Sequence, residues 1–426
     1  MHHEALRAGD VSPEAAPPAF ELDWERQLPS HVAKQHHLTD NKLTDLEPTV
    51  PTKLIACSTL LTLESQAKSS EAAENMCRWF AYISQTEPCL LEDVLVTPKH
   101  SLVKQVSDHY LPKLLPHEHD ENSENDVKAR NVVMNFDGLG VVWYTSSKAD
   151  FESSNTAQSS DGKQKDGLRP AMYKTIQPPI NDQNFLSICA NTESRVCFGH
   201  IRASSGTAIA NINNHPFVFG RHTFMHNGAA SNFIDIKRAA INEMSHDAYA
   251  NVFGATDSEH IAALYMTYLT RGGDASSFEK VYSAQEMVEA MHRAVATIVG
   301  LQHKILGDRK KPNSLNLCAT DGSKLVAYRF RNHRTSQPPS LYYSTKAGMT
   351  LNRKYPDNAD GVEHAGRQIG IPEELHGSHL IVASEPSTYC DSDWELIGKN
   401  QFLLAGPDGV FEVGDAPYGL GWDAED

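Results

Sequence analysis

Met76-Cys77-Arg78-Trp79-Phe80 places a cysteine directly after a methionine and in front of an apolar run. A chain that begins at such a cysteine carries a thiol nucleophile. It also carries, on the same residue, an α-amine with an unperturbed pKa of about 7.7–8.0. One residue then holds both groups that amide cleavage needs, a nucleophile and its base. The other reading of the dipeptide is a buried sulfur on a strand, and the dipeptide alone does not choose between them.

Outward from it, six further runs follow in order. Asp137-Gly138-Leu139-Gly140-Val141-Val142-Trp143-Tyr144 comes first, then Gly199-His200-Ile201-Arg202-Ala203-Ser204-Ser205. Asn214-His215-Pro216-Phe217, Met225-His226-Asn227-Gly228 and Thr256-Asp257-Ser258-Glu259 come next, with Ala383-Ser384-Glu385-Pro386 near the end. In this order they resemble the class II glutamine amidotransferases, a family of N-terminal nucleophile hydrolases. The Met-Cys-Arg start, the Phe-Met-His-Asn-Gly run and the Ala-Ser-Glu-Pro run are most similar to one branch, the fungal amidotransferase-like subunit that degrades glutathione. The resemblance spans roughly residues 76–413. It implies an α+β fold, a four-layer αββα sandwich.

The chemistry that the resemblance implies can be set out residue by residue. Cys77 attacks a γ-glutamyl amide and forms a thioester, its own amine relaying the proton. Asn227 offers a side-chain NH2 to the oxyanion, and Gly228, lacking a Cβ, brings its backbone N–H close. The other reading of Asn-Gly is an ordinary hairpin turn. Arg202 grips the substrate carboxylate with a two-point fork, or is a strand-end surface ion pair. Asp257 accepts the substrate ammonium, or is a first-turn acid complementing a helix dipole. Ser205 stands where the family pattern has Thr and keeps a hydroxyl for the ligand. His200, His215 and His226 are read as structural, because in this family the base is the terminal amine. Arg78 either hydrogen-bonds to the site or faces solvent.

Composition bounds the remaining possibilities. The 426 residues carry a formal net charge of −16, and the pI is near 5.7. An acidic chain argues against nucleic acid or an anionic membrane as the main partner. Seven cysteines are scattered, with no CxxC spacing, so neither a disulfide scaffold nor a zinc site is expected. No metal or cofactor is expected. The amino terminus lacks a signal-peptide pattern, and the apolar patch at 54–63 is half the length of a membrane helix. A cytosolic protein is the expectation.

Residues 1–75 are polar and rich in proline, and little fixed structure is expected there. The leader departs from the family, whose members begin at Met-Cys. Translation from Met76, proteolytic removal and retention of the leader all remain open. The amidotransferase-type domain is expected over 77–420, with polar insertions near 116–128 and 146–167. His117 and His119 in the first insertion read as a solvated acidic loop.

Strands are expected at 131–135, 141–145, 195–201, 316–320, 324–330, 379–384, 401–404 and 410–413. A hairpin over 217–225 turns near Gly220, and Asp321-Gly322 is a two-residue hairpin signal. Thr256-x-x-Glu259 reads as a capping box, followed by Ile261, Leu264, Tyr265 and Tyr268 on one helical face. A longer helix carries Met287, Met291, Val295 and Ile298 and ends near Gly307. A third helix is expected over 235–250.

Glutathione and glutamine share the γ-glutamyl head, so Arg202 and Asp257 would serve either substrate. No P-loop and no GxGxxG before a helix is present, which favours a stand-alone hydrolase or catalytic subunit. The branch resemblance implies a metallopeptidase-like partner subunit and glutathione hydrolysis to glutamate and cysteinylglycine. Two alternatives stay open: a glutaminase delivering ammonia to a partner enzyme, and a non-catalytic scaffold subunit if the leader is retained.

Overall fold

The structure, a computed structural model, describes residues 77–106, 135–148, 151, 167–204, 206–353, 375–388 and 390–425. The expectations for 1–75, for 116–128 with His117 and His119, for most of 146–167 and for the strand residues 131–134 lie outside the described residues.

The chain opens with β1 (Arg78–Ser84), β2 (Cys89–Leu90) and helix α1 (Leu91–Leu95). A hairpin follows, β3 (Leu139–Thr145) and β4 (Arg169–Thr175), then α2 (Gln183–Asn191), β5 (Glu193–Ser194) and β6 (Val196–Ile201). A second hairpin, β7 (Phe217–Phe219) and β8 (His222–Ala229), leads into four helices: α3 (Phe233–Asn242), α4 (His246–Ala250), α5 (Asp257–Leu269) and α6 (Ala284–Leu306). β9 (Ser314–Thr320), β10 (Leu325–Arg331), β11 (Tyr342–Ser344), α7 (Ala347–Leu351), β12 (His379–Ala383), β13 (Glu395–Leu396), β14 (Gln401–Ala405) and β15 (Phe411–Asp415) complete the order.

Two large antiparallel sheets result among the described residues, beside the short pair β2-β5. One runs β13-β11-β12-β1-β6-β3-β4 and the other β15-β14-β10-β9-β8-β7. Period-two alternation sorts each strand's side chains into two layers. In β1, Trp79, Ala81 and Ile83 enter the interface between the sheets with Phe198, Met225, Leu325 and Ala327. Phe80 and Tyr82 point the other way, into a core with Leu91, Val94, Leu95 and Phe185 from α1 and α2. In the second sheet Leu315, Leu317, Val326, Tyr328 and Phe330 face α3, α5 and α6. The layers are therefore helix, sheet, sheet, helix: a four-layer αββα sandwich of class α+β. Each of these fully buried side chains contributes about 1.5–3 kcal/mol relative to exposure. The central strands β1 and β9 are buried on both faces because both are covered.

Local sequence explains the helix boundaries, with three departures from expectation. Thr256 Oγ1 accepts the Glu259 N–H at 3.1 Å and so caps α5. Glu259 does not return to Thr256; its carboxylate takes the Phe253 and Gly254 N–H groups at 3.0 and 2.6 Å. The complete capping box is at Ser283 and Glu286, opening α6. The expected helix over 235–250 is two, α3 and α4. The last turn of α3 tightens through Glu243 N–H to Ala240 O and Met244 N–H to Ile241 O. Ser245 then takes extended dihedrals, its N–H held by Thr267 Oγ1 of α5. Third, β9 and β10 are joined by residues 321–324 rather than by two residues, since Thr320 pairs with Leu325.

Candidate active site

β1 begins one residue after Cys77, so the thiol stands at the mouth of the first sheet, half-buried. Cys77 Sγ accepts the Ala203 N–H at 3.4 Å, and its own hydrogen faces Ala203 O at 3.5 Å. Burial pushes the thiol above its ordinary value, while the Ala203 N–H and the guanidinium groups of Arg202 and Arg78 draw it down. Burial prevails, so the sulfur needs a base to become a nucleophile.

Arg202 leaves the end of β6 and is buried. Its Nη1 donates to Ala208 O at 3.1 Å and its Nη2 to Ser204 Oγ at 3.1 Å and Thr207 Oγ1 at 2.5 Å. Asn214 Oδ1 lies 3.5 Å from Nη1. The loop after β6 thus wraps its own guanidinium, which excludes the exposed surface ion pair. Burial lowers the pKa of Arg202, and Cys77, Asp137 and Asp257 each oppose that. Thiol, guanidinium and carboxylate are therefore within electrostatic reach of one another.

Asp257 is the first residue of α5. Its Oδ2 accepts the Ala230 N–H at 2.8 Å and its Oδ1 the Ser258 N–H at 2.8 Å. The first contact joins the helix to the end of β8, one residue beyond that strand.

Asn227 and Gly228 are not a turn. They lie inside β8, paired with Asn316 and Leu315 of β9, and β8 touches β1 across the sandwich. Gly228 has φ 128°, and a Cβ there would stand 1.9 Å from Ser314 O, so only glycine fits. Asn227 is buried, and neither its Oδ1 nor its Nδ2 has a hydrogen-bond partner among the described residues. Such an orphaned amide costs about 1–3 kcal/mol and calls for a reason. Ser205 lies outside the described residues.

A probable glutamine amidotransferase of Saccharomyces cerevisiae, DUG3, is 30% identical to this chain over 332 residues, 77% of this chain and 81% of the yeast protein. The chain belongs to the class II glutamine amidotransferase family. No family model matches it. Among solved structures, a glutamine aminotransferase class-II domain protein from Silicibacter pomeroyi aligns at 19% identity, covering 80% of this chain and 100% of that one, with a TM-score of 0.46. Glutamine phosphoribosylpyrophosphate amidotransferase from B. subtilis aligns at 12% identity, covering 80% and 49% of the two chains, with a TM-score of 0.40.

In this amidotransferase the three histidines form a buried cluster, His200 stacked on His215 and His226 edge-on to it. The His200 and His215 rings are 4.1 Å apart and His215 and His226 6.5 Å. Burial pushes His200 down to about 3 and also lowers His215 and His226, so all three are neutral at pH 7. His200 Nε2 donates to His226 O at 3.0 Å, tying β6 to β8 beside Asn227. His226 Nδ1 is 2.9 Å from Ser258 Oγ, next to Asp257.

Several contacts at the site were not legible in sequence. Ala203 touches the thiol only through its backbone, which carries no residue-type signal. Asp137 Oδ2 accepts the Ser204 N–H at 2.7 Å and so pins the loop around Arg202. Arg78 is buried and donates to Cys77 O at 3.1 Å; its Nε is 4.0 Å from Glu385 Oε1. Ser340 Oγ donates to the same carboxylate oxygen at 2.8 Å. Ser384 Oγ accepts the Trp79 N–H at 3.1 Å. The Ala-Ser-Glu-Pro run therefore braces the strand that carries the nucleophile. Asn214 and Glu385 stood inside quoted motifs, yet their partners lie 12 and 307 positions away.

Proposed function

We propose that the chain is a γ-glutamyl amide hydrolase whose active form begins at Cys77. In a chain that retains residues 1–76, Cys77 has no free amine and burial holds its thiol protonated. That form is read as an inactive precursor. With the amine freed, the thiol proton passes to it, and Cys77 Sγ attacks the γ-carbonyl carbon. The tetrahedral oxyanion is received by Asn227 Nδ2 and the Gly228 N–H. Collapse breaks the C–N bond, the leaving nitrogen takes the proton from the ammonium, and a γ-glutamyl thioester remains. Water then cleaves the thioester, releasing glutamate and restoring the thiol. Arg202 holds the substrate carboxylate, Asp257 its ammonium, and the Ser205 hydroxyl contacts the ligand. The observation that carries this reading is the Asn227 amide, buried and without a partner among the described residues.

The substrate we propose is glutathione, cleaved to glutamate and cysteinylglycine in the cytosol, with a metallopeptidase-like partner subunit. The branch resemblance of the Met-Cys-Arg, Phe-Met-His-Asn-Gly and Ala-Ser-Glu-Pro runs supports it. Among the described residues no helix is long and apolar enough to cross a membrane.

The test joins mass and activity. The active protein is expected to have the mass of a chain starting at Cys77, and Cys77→Ala is expected to keep its fold while losing all γ-glutamyl cleavage. An active protein with its leader intact, or an active Cys77→Ala variant, refutes the mechanism. Cysteinylglycine release from glutathione is expected to exceed ammonia release from glutamine when the partner is present. The reverse order assigns the enzyme to ammonia supply.

A further inference from the structure

β4 ends the first sheet and β7 ends the second. Residues of both edge strands line a cavity of about 350 Å³. Met172 and Lys174 come from β4 and Phe217 from β7, with Ile212 from the loop below Arg202, Phe253 from the turn before α5, and Glu259 from α5 itself. That volume falls in the range of small-molecule sites, which are largely apolar with a few placed polar groups.

The cation of this cavity, Lys174, makes no direct contact with an anion among the described residues. Lys174 Nζ stands 5.1 Å from the centre of the Phe217 ring and has no hydrogen bond or ion pair among the described residues. Burial drives its pKa down to about 8, with Glu259 opposing. Glu259 lines the same cavity but forms no ion pair with Lys174; its two oxygens accept the Phe253 and Gly254 N–H groups. A desolvated ammonium over an aromatic face recovers only part of what it loses on leaving water. At the rim, Phe253 is 71% exposed, Ile212 53% and Met172 50%. Three large apolar side chains around one opening are more than scattered surface residues.

We propose that this cavity binds a small organic anion, its carboxylate, sulfonate or phosphate group on Lys174 and its apolar body against Phe217, Ile212 and Phe253. The site is separate from Cys77. Across the loop from it, Ala208 O and Thr207 Oγ1 hold Arg202. Nothing in the proposal depends on which amide the enzyme cleaves.

The test uses two fluorescent probes on the full chain. 8-Anilinonaphthalene-1-sulfonate has the required anion and apolar body; N-phenyl-1-naphthylamine has the same body and no charge. Wild-type protein is expected to bind the sulfonate at one saturable site and the neutral probe about tenfold more weakly, the size of one charge-assisted contact. Lys174→Met is expected to lose that preference and Lys174→Arg to keep it. Phe253→Ala is expected to weaken both probes together. Equal binding of the two probes to wild type overturns the proposal, as does an unchanged sulfonate affinity in Lys174→Met. Displacement of the sulfonate by excess glutamate would place the probe at the catalytic centre instead and also overturn it.

Discussion

Asn227-Gly228 and Asp321-Gly322 carry the same local signal for a turn, and the molecule uses them in opposite ways. Asp321-Gly322 is a turn, and its buried carboxylate is met by backbone donors and a cation. Asp321 Oδ1 accepts the Ser323 and Lys324 N–H groups, each at 2.9 Å, and Oδ2 pairs with Lys324 Nζ at 2.7 Å. Burial raises the Asp321 carboxyl, but the Lys324 ammonium and these donors outweigh it and hold it below its ordinary value. Asn227-Gly228 is extended, buried and unanswered. A satisfied buried group supports the fold, whereas an unsatisfied one costs stability and is retained where chemistry uses it.

The comparison is most exposed to refutation at Asp321. Asp321→Asn leaves the buried Lys324 ammonium without its counter-charge, and breaking such a pair is expected to cost about 3–5 kcal/mol in urea unfolding. The kcat of the protein that remains folded should not change. Asn227→Ala is the mirror experiment. Removing one oxyanion donor is expected to lower kcat about 10²–10³-fold, with no loss of unfolding free energy, because an orphaned amide leaves with it. An Asp321→Asn variant as stable as wild type, or an Asn227→Ala variant that is destabilised or keeps native kcat, would break the contrast.

Arg202→Lys and Asp257→Asn sharpen it further. Lysine keeps the charge but loses the fork, and Asn leaves the substrate ammonium unpaired. Each should lower kcat/KM about tenfold or more, a change of about 1.4 kcal/mol per tenfold. Native kcat/KM in both variants would remove the substrate clamp from the mechanism. A further test concerns acid. His200 and His222 are pushed down by burial to about 3 and about 4, against about 6.5 in an unfolded chain. Between those values the unfolded chain binds protons that the folded one refuses, so stability is full above about pH 6.5 and declines as pH falls toward 4. Thermal midpoints measured across that window should show the decline, and His222→Gln should flatten it. A midpoint independent of pH there would contradict the burial of His200 and His222 as neutral rings.

The strands and helices were legible where periodicity is strong. The α6 helix, with Met287, Met291, Val295 and Ile298 on one face, runs to a Gly307 cap with φ 56°. The hairpin over 217–225 turns at Gly220, also at positive φ. Less was legible in α5. Its sequence marks one apolar face, yet Ala262, Ala263 and Met266 are buried too, because α6 covers the side that periodicity leaves open. The break between α3 and α4 depends on Thr267, a residue over twenty positions downstream. A helix pattern read from neighbours cannot contain it.

Sequence by itself determined which residue types were available and in what order: a cysteine after a methionine, an arginine after Gly-His-Ile, an Asn-Gly pair, and an acid at a capped helix start. Covalent order and local periodicity suffice for that, because caps, turns and alternation act within a few residues. Tertiary structure alone decided that Asn227 has no partner among the described residues, that the Arg202 guanidinium is wrapped by its own loop, and that Glu385 braces Arg78 beside Cys77. It also left Lys174 without a hydrogen bond or ion pair among the described residues, in a cavity between two sheet edges. Satisfaction of a buried polar group depends on what the rest of the chain brings against it, and that is a property of packing across the sandwich rather than of any neighbour in sequence.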